Sequence, residues 1–164
     1  MKTSFALFRI QAAAALAIAM AGAPALAQSW QATCEYVGAP TREPVGDQEN
    51  HALGAVQYTC RVLDGPLANA VLTGSNLFEW NGPNATALYA EGVYRKSGTL
   101  AVFRVTDLHA TLQMAGGKPV GNTTDGTGMF HFGSGEAASF ARRAFKFSSR
   151  GTASNQFLMD MSLE

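Results

Sequence analysis

Short runs of alternating apolar and polar residues, separated by turn-forming residues, make up the chain from position 30 onward. β-Branched and aromatic residues recur at every second position of these runs, as they do in strands with one buried face. The run AVQYTCRVLD (55–64), for example, places Tyr58, Cys60 and Val62 on one face. Glycine, asparagine, aspartate and proline occupy the gaps, where they favour turns. The alternation therefore predicts a protein made of β-strands.

About eight strands are predicted from these runs. The longest, near 99–113, is expected to bend or to carry a bulge, because strands of that length are uncommon. The polar stretch 38–54 has no period and is predicted to be a long loop, and only 134–143 could form a short helix. The predicted strands cover residues 30–37, 55–64, 71–80, 86–96, 98–114, 128–134, 142–150 and 155–164.

The strand set predicts an all-β fold with one domain over residues 28–164. Strands joined by short turns must avoid exposed edges, which a closed antiparallel barrel or a two-sheet β-sandwich achieves. Gly74 and Gly92 stand alone inside strand patterns, and such glycines suit the sharp bends of a small barrel. We therefore predict a single antiparallel β-barrel of about eight strands, with the two-sheet β-sandwich as the alternative.

The first 27 residues have the organisation of a signal peptide. Lys2 and Arg9 supply a positive start, an apolar run over 10–22 follows, and ALA at 25–27 offers the small residues of a cleavage site. The apolar run is too short to serve as a membrane anchor. The sequence therefore predicts a periplasmic or secreted mature chain of 164 − 27 = 137 residues with no stable membrane span.

The charge balance argues against a nucleic-acid partner. The chain has 12 Lys and Arg against 12 Asp and Glu, and removing Lys2 and Arg9 leaves 10 against 12, a formal charge of −2. Nucleic-acid binding needs a basic surface that follows the phosphate backbone. No motif indicates a cofactor, and the pattern leaves the oligomeric state undetermined.

Cys34 and Cys60 are the two cysteines of the chain. In an oxidising compartment an even pair indicates a disulfide. The bond would close a loop of about 27 residues, for which the chain-entropy relation gives roughly 3–4 kcal/mol of stabilisation. A metal site would need more soft ligands, and a redox pair would usually be C-x-x-C, so both are weaker alternatives.

The stretch NTTDGTGMFHFGSGEA (122–137) is rich in glycine. A phosphate-binding loop would follow a strand and open a helix, whereas here the glycines flank the alternating run Met-Phe-His-Phe. No lysine of the P-loop type follows. We therefore predict a tight hairpin, in which Asp125 and Gly126 supply the residues with positive φ.

The segment DGTGMFHFGSGEA, which follows GNTT, resembles the glycine-rich hairpin of the allene oxide cyclase-like and dirigent-like proteins. Those families commonly show a G-G-T-G-x-F/Y segment that leads through a short strand to A-x-G. The resemblance implies a small antiparallel barrel of a kind found in enzymes and in proteins that bind or guide reactive small molecules. Asp125 stands where the family often has glycine. No catalytic position can be matched, so the resemblance transfers no active site.

The candidate catalytic residues are Glu91, Asp107 and His109. By the period of two, Asp107 and His109 share a strand face with Phe103. The carboxylate would raise the basicity of the imidazole and make it a general base. Glu91 would have a raised pKa and act as an acid or ligand anchor if it faced a lumen lined by aromatic residues. The alternative is an exposed strand position or a satisfied core group without a function.

The candidate ligand-binding residues are Tyr89, Phe103 and His131. Tyr89 shares a face with Glu91, and Phe103 is expected in the core or in the wall of a cavity. His131 is expected to point away from the phenylalanines on either side of it, toward solvent or the lumen. His51, in the polar loop, is expected to be solvated. No metal site is predicted.

Three functions are compatible with these patterns. The first is an exported barrel that binds a small apolar molecule or a partner surface without converting it. The second is a cyclase-like enzyme, which requires Glu91, Asp107 and His109 to converge inside a cavity. The third is a structural or inhibitory surface protein, which would be favoured if the loop 38–54 were ordered and projected as a binding edge.

Overall fold

The computed structural model describes residues 28–164 and forms a closed barrel of eight antiparallel strands with one additional short strand. The predicted signal peptide lies outside the described residues. The barrel predicted from the alternation is confirmed, and the sandwich alternative is wrong. The strands are β1 (Ser29–Tyr36), β2 (Glu43–Pro44), β3 (His51–Val62), β4 (Val71–Asn81), β5 (Asn84–Lys96), β6 (Thr99–Ala115), β7 (Lys118–Ser134), β8 (Ala144–Ala153) and β9 (Gln156–Leu163).

Pairing of β1 with β3 closes the barrel. From β3 to β9 each strand pairs with its neighbours in sequence, and β9 then pairs with β1. The β1–β3 seam runs only from Ala32↔Val62 to Tyr36↔Tyr58. At its centre Cys34 lies directly opposite Cys60, and the two form a disulfide. The predicted disulfide is confirmed, and it joins the strands of the short seam on which closure depends.

One end of the barrel, the closed end, is filled by aromatic side chains. It carries two short 3-10 helices, Gly65–Leu67 and Gly135–Phe140. The rings of Trp30 and Phe140 stack there at 5.8 Å between centroids, and the Trp30 Nε1–H donates to the Tyr94 hydroxyl at 3.3 Å. Because Phe140 and Tyr94 are fully covered, solvent is excluded from this end.

Four aromatic rings of the lumen pack against a glycine on the neighbouring strand. At Gly128 an added Cβ would come within 2.3 Å of Phe145 Cζ and 2.6 Å of the Arg104 carbonyl oxygen. Such distances are far below van der Waals contact, so these positions admit no side chain. The cross-strand pairs are Tyr58–Gly74, Phe103–Gly92, Phe145–Gly128 and Phe147–Gly126.

The predicted hairpin at Asp125 and Gly126 is wrong. Both residues lie inside β7, opposite His109 and Leu108 of β6. The turn between these strands is made instead by Gly116 and Gly117, with φ of 58° and 78°. Gly126 is required because the Phe147 ring and the Asp107 carbonyl oxygen occupy the place of its Cβ, not because of its backbone conformation.

The predicted irregularity of the longest strand is confirmed. β6 is 17 residues long, and its pairing with β7 shifts between Val105 and Asp107, so Thr106 is an extra residue in the strand. A bulge reverses the faces of the residues that follow it. Val105 faces the lumen before the bulge, whereas Leu108 faces it afterwards.

The segment 37–50, here named the mouth segment, follows β3 beyond the end of β1. The Val37 N–H donates to the Gln57 carbonyl, the Thr41 N–H donates to the Ala55 carbonyl, and β2 pairs with β3. The predicted loop 38–54 therefore contains a short strand and the start of β3. It lies along the barrel instead of projecting from it.

We expect the disulfide to supply a large share of the stability. The double variant Cys34→Ala/Cys60→Ala should lose roughly 3–4 kcal/mol of unfolding free energy, because its unfolded chain is no longer constrained. Denaturant unfolding followed by tryptophan fluorescence measures the loss, and thiol titration of the denatured, non-reduced wild type should find no free thiol. A loss below about 1 kcal/mol would contradict this account of the seam.

A second prediction concerns the glycines beneath the rings. Gly128→Ala should cost about 1–3 kcal/mol, because a new methyl group would collide with the Phe145 ring and with backbone. Gly121→Ala, in the same strand, is the matched control, since nothing lies within 4 Å of its Cβ position. Thermal melts compare the two variants. Equal destabilisation would show that the glycines matter for backbone entropy and not for ring packing.

Candidate functional site

The half of the barrel opposite the closed end contains a cavity of about 440 Å³. This open end bears the mouth segment and the turns that follow β4, β6 and β8. The cavity exists because small side chains such as Gly54, Val56, Ala110 and Ser149 replace the large rings that fill the closed end. The aromatic part of its lining consists of Tyr36, Tyr58, Phe78, Trp80, Phe103, Phe145, Phe147 and Phe157.

The mouth segment forms one rim of the cavity. Pro40, Thr41 and Arg42 line the opening. The Arg42 guanidinium lies 4.8 Å from the centroid of the Trp80 ring and donates to the Gly82 carbonyl at 2.8 Å. A cation–π contact and a hydrogen bond thus anchor the rim to the β4–β5 turn.

Most polar side chains in the lining have partners within the protein. Asn122 Nδ2 donates to the Tyr36 hydroxyl at 3.3 Å, and the hydroxyls of Thr124 and Ser149 are 2.7 Å apart. Burial raises the pKa of Tyr36 and, more strongly, that of Tyr58. Both phenols are therefore neutral at physiological pH.

Asn76 contains a fully buried polar atom without a partner in the described part of the chain, and sequence reasoning missed it. Its side chain lines the cavity, and its Oδ1 is buried with no hydrogen-bond partner among the described residues. Asn76 is four residues after Leu72 and two before Phe78 in β4, so its side chain points to the same face as these two inward-facing residues. Asparagine is disfavoured in strands, and its place at an inward-facing position of β4 was the signal that could have identified it.

The structure places the three candidate catalytic residues on the outer wall of the barrel. Asp107 and His109 do meet, with 3.2 Å between Oδ1 and Nε2, but each side chain is more than half exposed. The period-two expectation that they share a face with Phe103 is wrong, because the bulge at Thr106 turns them outward. Glu91 is exposed on β5. None of the three lines the cavity.

Of the candidate ligand-binding residues, Phe103 lines the cavity. Tyr89 lies on the outer wall, where Arg104 sits 5.6 Å from its ring centroid and a hydrogen bond with Glu91 raises its pKa. His131 is exposed. It is an extra residue in β7, because Phe130 and Phe132 pair with the consecutive β6 residues Phe103 and Val102.

The bulge at His131 also changes the faces of its neighbours. Phe130 is fully buried and Phe132 is 47% exposed. The expectation that these phenylalanines share a face is therefore wrong.

A second, open hollow of about 460 Å³ lies on the outer wall near the mouth segment. His51 is at its edge, and Nδ1 lies 2.5 Å from Asp47 Oδ1 while Nε2 lies 3.0 Å from Glu79 Oε1. The expected solvated loop histidine is thus held between two carboxylates. The hydrogen bond with Asp47, and then that with Glu79, raises the pKa of His51, and the same bond lowers the pKa of Asp47.

Over residues 28–164 no group of three or more potential ligands is placed to hold a metal ion. In the same part of the chain no helix has the length and apolarity needed to cross a membrane.

Comparison of the chain with models of protein families, with curated proteins and with solved structures finds no match. The structure itself shows the class of protein: a small closed antiparallel β-barrel whose closed end is filled by aromatic side chains and whose open end contains a cavity. The resemblance of its glycine-rich segment to the allene oxide cyclase-like proteins stays a prediction.

The His51 contacts predict a pH dependence of the mouth segment. A raised histidine pKa stabilises the fold below the ordinary value of 6.5, and this stabilisation is lost as pH rises through the raised value. A lowered aspartate pKa stabilises above its ordinary 3.8 and is lost as pH falls. The contact is therefore strongest between these two values.

Proton NMR titration of the histidine rings tests this prediction. We expect the pKa of His51 to lie above 6.5 and to fall in Asp47→Asn, with Glu79 retaining part of the shift. Glu49→Gln, on the same segment, is the control. An equal effect of both variants would mean that general charge, and not the Asp47 contact, sets the His51 pKa.

Proposed function

We propose that this protein binds a small, mostly apolar molecule in the open half of its barrel. The observation that carries the proposal is the cavity of about 440 Å³ lined mainly by aromatic and aliphatic side chains. Binding sites for small molecules have volumes of about 300–1,000 Å³ and consist of apolar walls with a few polar groups. The cavity has both properties.

The arrangement of the two ends supports binding over a purely structural role. A barrel that served only as a scaffold gains stability from a filled lumen, because unfilled apolar volume costs packing energy. Here the closed end is packed with rings, whereas the open end keeps small side chains at Gly54, Ala110 and Ser149. An apolar ligand would restore the missing contacts.

The cyclase-like alternative receives less support. It required Glu91, Asp107 and His109 to converge in a cavity, and these side chains point away from the lumen. Within residues 28–164 the ionisable groups of the lining are Tyr36, Tyr58 and Arg42. Neutral phenols and an anchored guanidinium do not provide a general base at physiological pH.

The surface-protein alternative is also disfavoured. It required an ordered segment that projects as a binding edge, but the mouth segment hydrogen-bonds along β3 and contacts Trp80 through Arg42.

Export to the periplasm or the medium is part of the same proposal. The Cys34–Cys60 disulfide supports it, because disulfides persist in oxidising compartments. The signal-peptide pattern of the first 27 residues is its other support.

Titration with the neutral fluorophore N-phenyl-1-naphthylamine tests the binding proposal. We expect saturable 1:1 binding with increased fluorescence, because the probe leaves water for an apolar cavity. Val56→Phe adds a ring inside the cavity and should weaken binding at least about tenfold by overlap with the probe. Native mass spectrometry of the purified protein gives the stoichiometry directly.

Val71→Phe is the matched control, because Val71 is 48% exposed on the outer wall. It makes the same exchange in a β-strand and should bind as the wild type does. Absence of saturable binding to the wild type, or equal loss in both variants, would refute the proposal.

A further inference from the structure

We infer that the ligand is an amphipathic molecule with one anionic group, which the Arg42 guanidinium holds at the mouth while the apolar body fills the cavity. This inference rests on the proposed function and names the chemical class of ligand for the same cavity. It assigns Arg42 as the residue that selects an anion over a neutral molecule or a cation.

The strand register of the mouth segment directs Arg42 toward the cavity. Glu43 pairs with Leu53 of β3, and Leu53 is exposed on the outer wall. The Thr41 N–H donates to the Ala55 carbonyl, which continues the same antiparallel register. Because successive side chains of an extended chain point to opposite faces, Arg42 points to the inner face. Accordingly, Arg42 lines the opening of the cavity and Glu43 does not.

The Arg42 guanidinium retains hydrogen-bond donors that the protein does not use. It carries five N–H groups, and within the described protein it donates one hydrogen bond, from Nη2 to the Gly82 carbonyl. Its contact with the Trp80 ring uses its face and not its N–H groups. Arg42 is an exposed residue that also lines the cavity, so its remaining donors are open to a ligand.

No acidic side chain competes for this cation within residues 28–164. The ion pairs of that part of the chain do not include Arg42, and the described lining contains no aspartate or glutamate. A cationic ligand would therefore meet only a like charge. An anion would instead accept charge-assisted hydrogen bonds, which are stronger than those between neutral groups.

The distribution of charge also fixes the orientation of the ligand. Apart from Arg42 the described lining has no charged side chain at physiological pH, because burial raises the pKa of both Tyr36 and Tyr58. An anion deep in the cavity would lose its hydration without a counter-charge, which is strongly unfavourable. Beside the exposed Arg42 it keeps part of its hydration. The anionic group therefore stays at the mouth, and the apolar body extends into the lumen.

The test compares two fluorophores with one ring system. N-phenyl-1-naphthylamine is neutral, and 8-anilinonaphthalene-1-sulfonate adds a single sulfonate to it. The preference for the anion is the dissociation constant of the neutral probe divided by that of the anionic probe, both from fluorescence titration. We expect Arg42→Met to lower this ratio about 3- to 10-fold, the effect of a partly exposed ion pair with charge-assisted hydrogen bonds. Arg42→Lys keeps the charge and should retain part of the preference.

The ratio separates the charge of Arg42 from its packing, because a general loosening of the mouth segment would weaken both probes. Arg61→Met is the matched control, since Arg61 is exposed on β3 and does not line the cavity. It should leave the ratio unchanged. Raising the ionic strength should lower the ratio in the wild type more than in Arg42→Met, because salt screens exposed charge pairs.

The outcomes distinguish this inference from the function on which it rests. An unchanged ratio in Arg42→Met, with the neutral probe bound, would overturn the role of Arg42 and leave the binding proposal intact. An equal fall in Arg61→Met would do the same, because general surface charge would then attract the anion. Binding of the anionic probe that Val56→Phe does not weaken would place its rings outside the cavity and also overturn the inference. Failure of the wild type to bind either probe would overturn both.

Discussion

The contact between lumenal aromatic rings and the glycines opposite them is the interaction on which the rest of this structure depends. Four rings lie over strand positions that have no room for a Cβ, as at Phe145 over Gly128. A barrel of eight strands has a narrow interior, and a ring packed over a glycine uses the space that the Cβ of any other residue would occupy. The glycines therefore allow these four rings to sit close to the barrel wall.

This constraint also explains why the two ends of one barrel differ. At the closed end the rings of Trp30, Phe130 and Phe140 meet one another across the lumen and fill it. Toward the open end Phe147 lies against Gly126, and small residues such as Val56 occupy the facing wall. The same strands thus form a closed end that excludes solvent and an apolar cavity at the other end. Asn76 lies in the lining of this cavity, and its Oδ1 has no hydrogen-bond partner among the described residues.

The class of fold and the disulfide could be predicted from the sequence, whereas the candidate site largely could not. Alternation along segments such as 55–64 depends on local geometry only, so it survives in the structure as β3. The assignment of Asp107 and His109 to the lumen failed because one extra residue, Thr106, reversed the faces of the strand. The length of the strand predicted an irregularity, but the position of the extra residue depends on the pairing with the partner strand, which no local pattern contains. Asn76 was missed because it belongs to no motif.

The sequence by itself determined the strand content and the pairing of the two cysteines. These follow from the period of two and from there being only one way to pair two cysteines. Only the tertiary structure decided which faces point inward beyond each bulge, and why Gly126 is glycine. It alone showed that an open cavity remains around Asn76. These properties depend on how side chains from different strands pack inside the barrel. The enclosed lumen forms only when β1 pairs with β3.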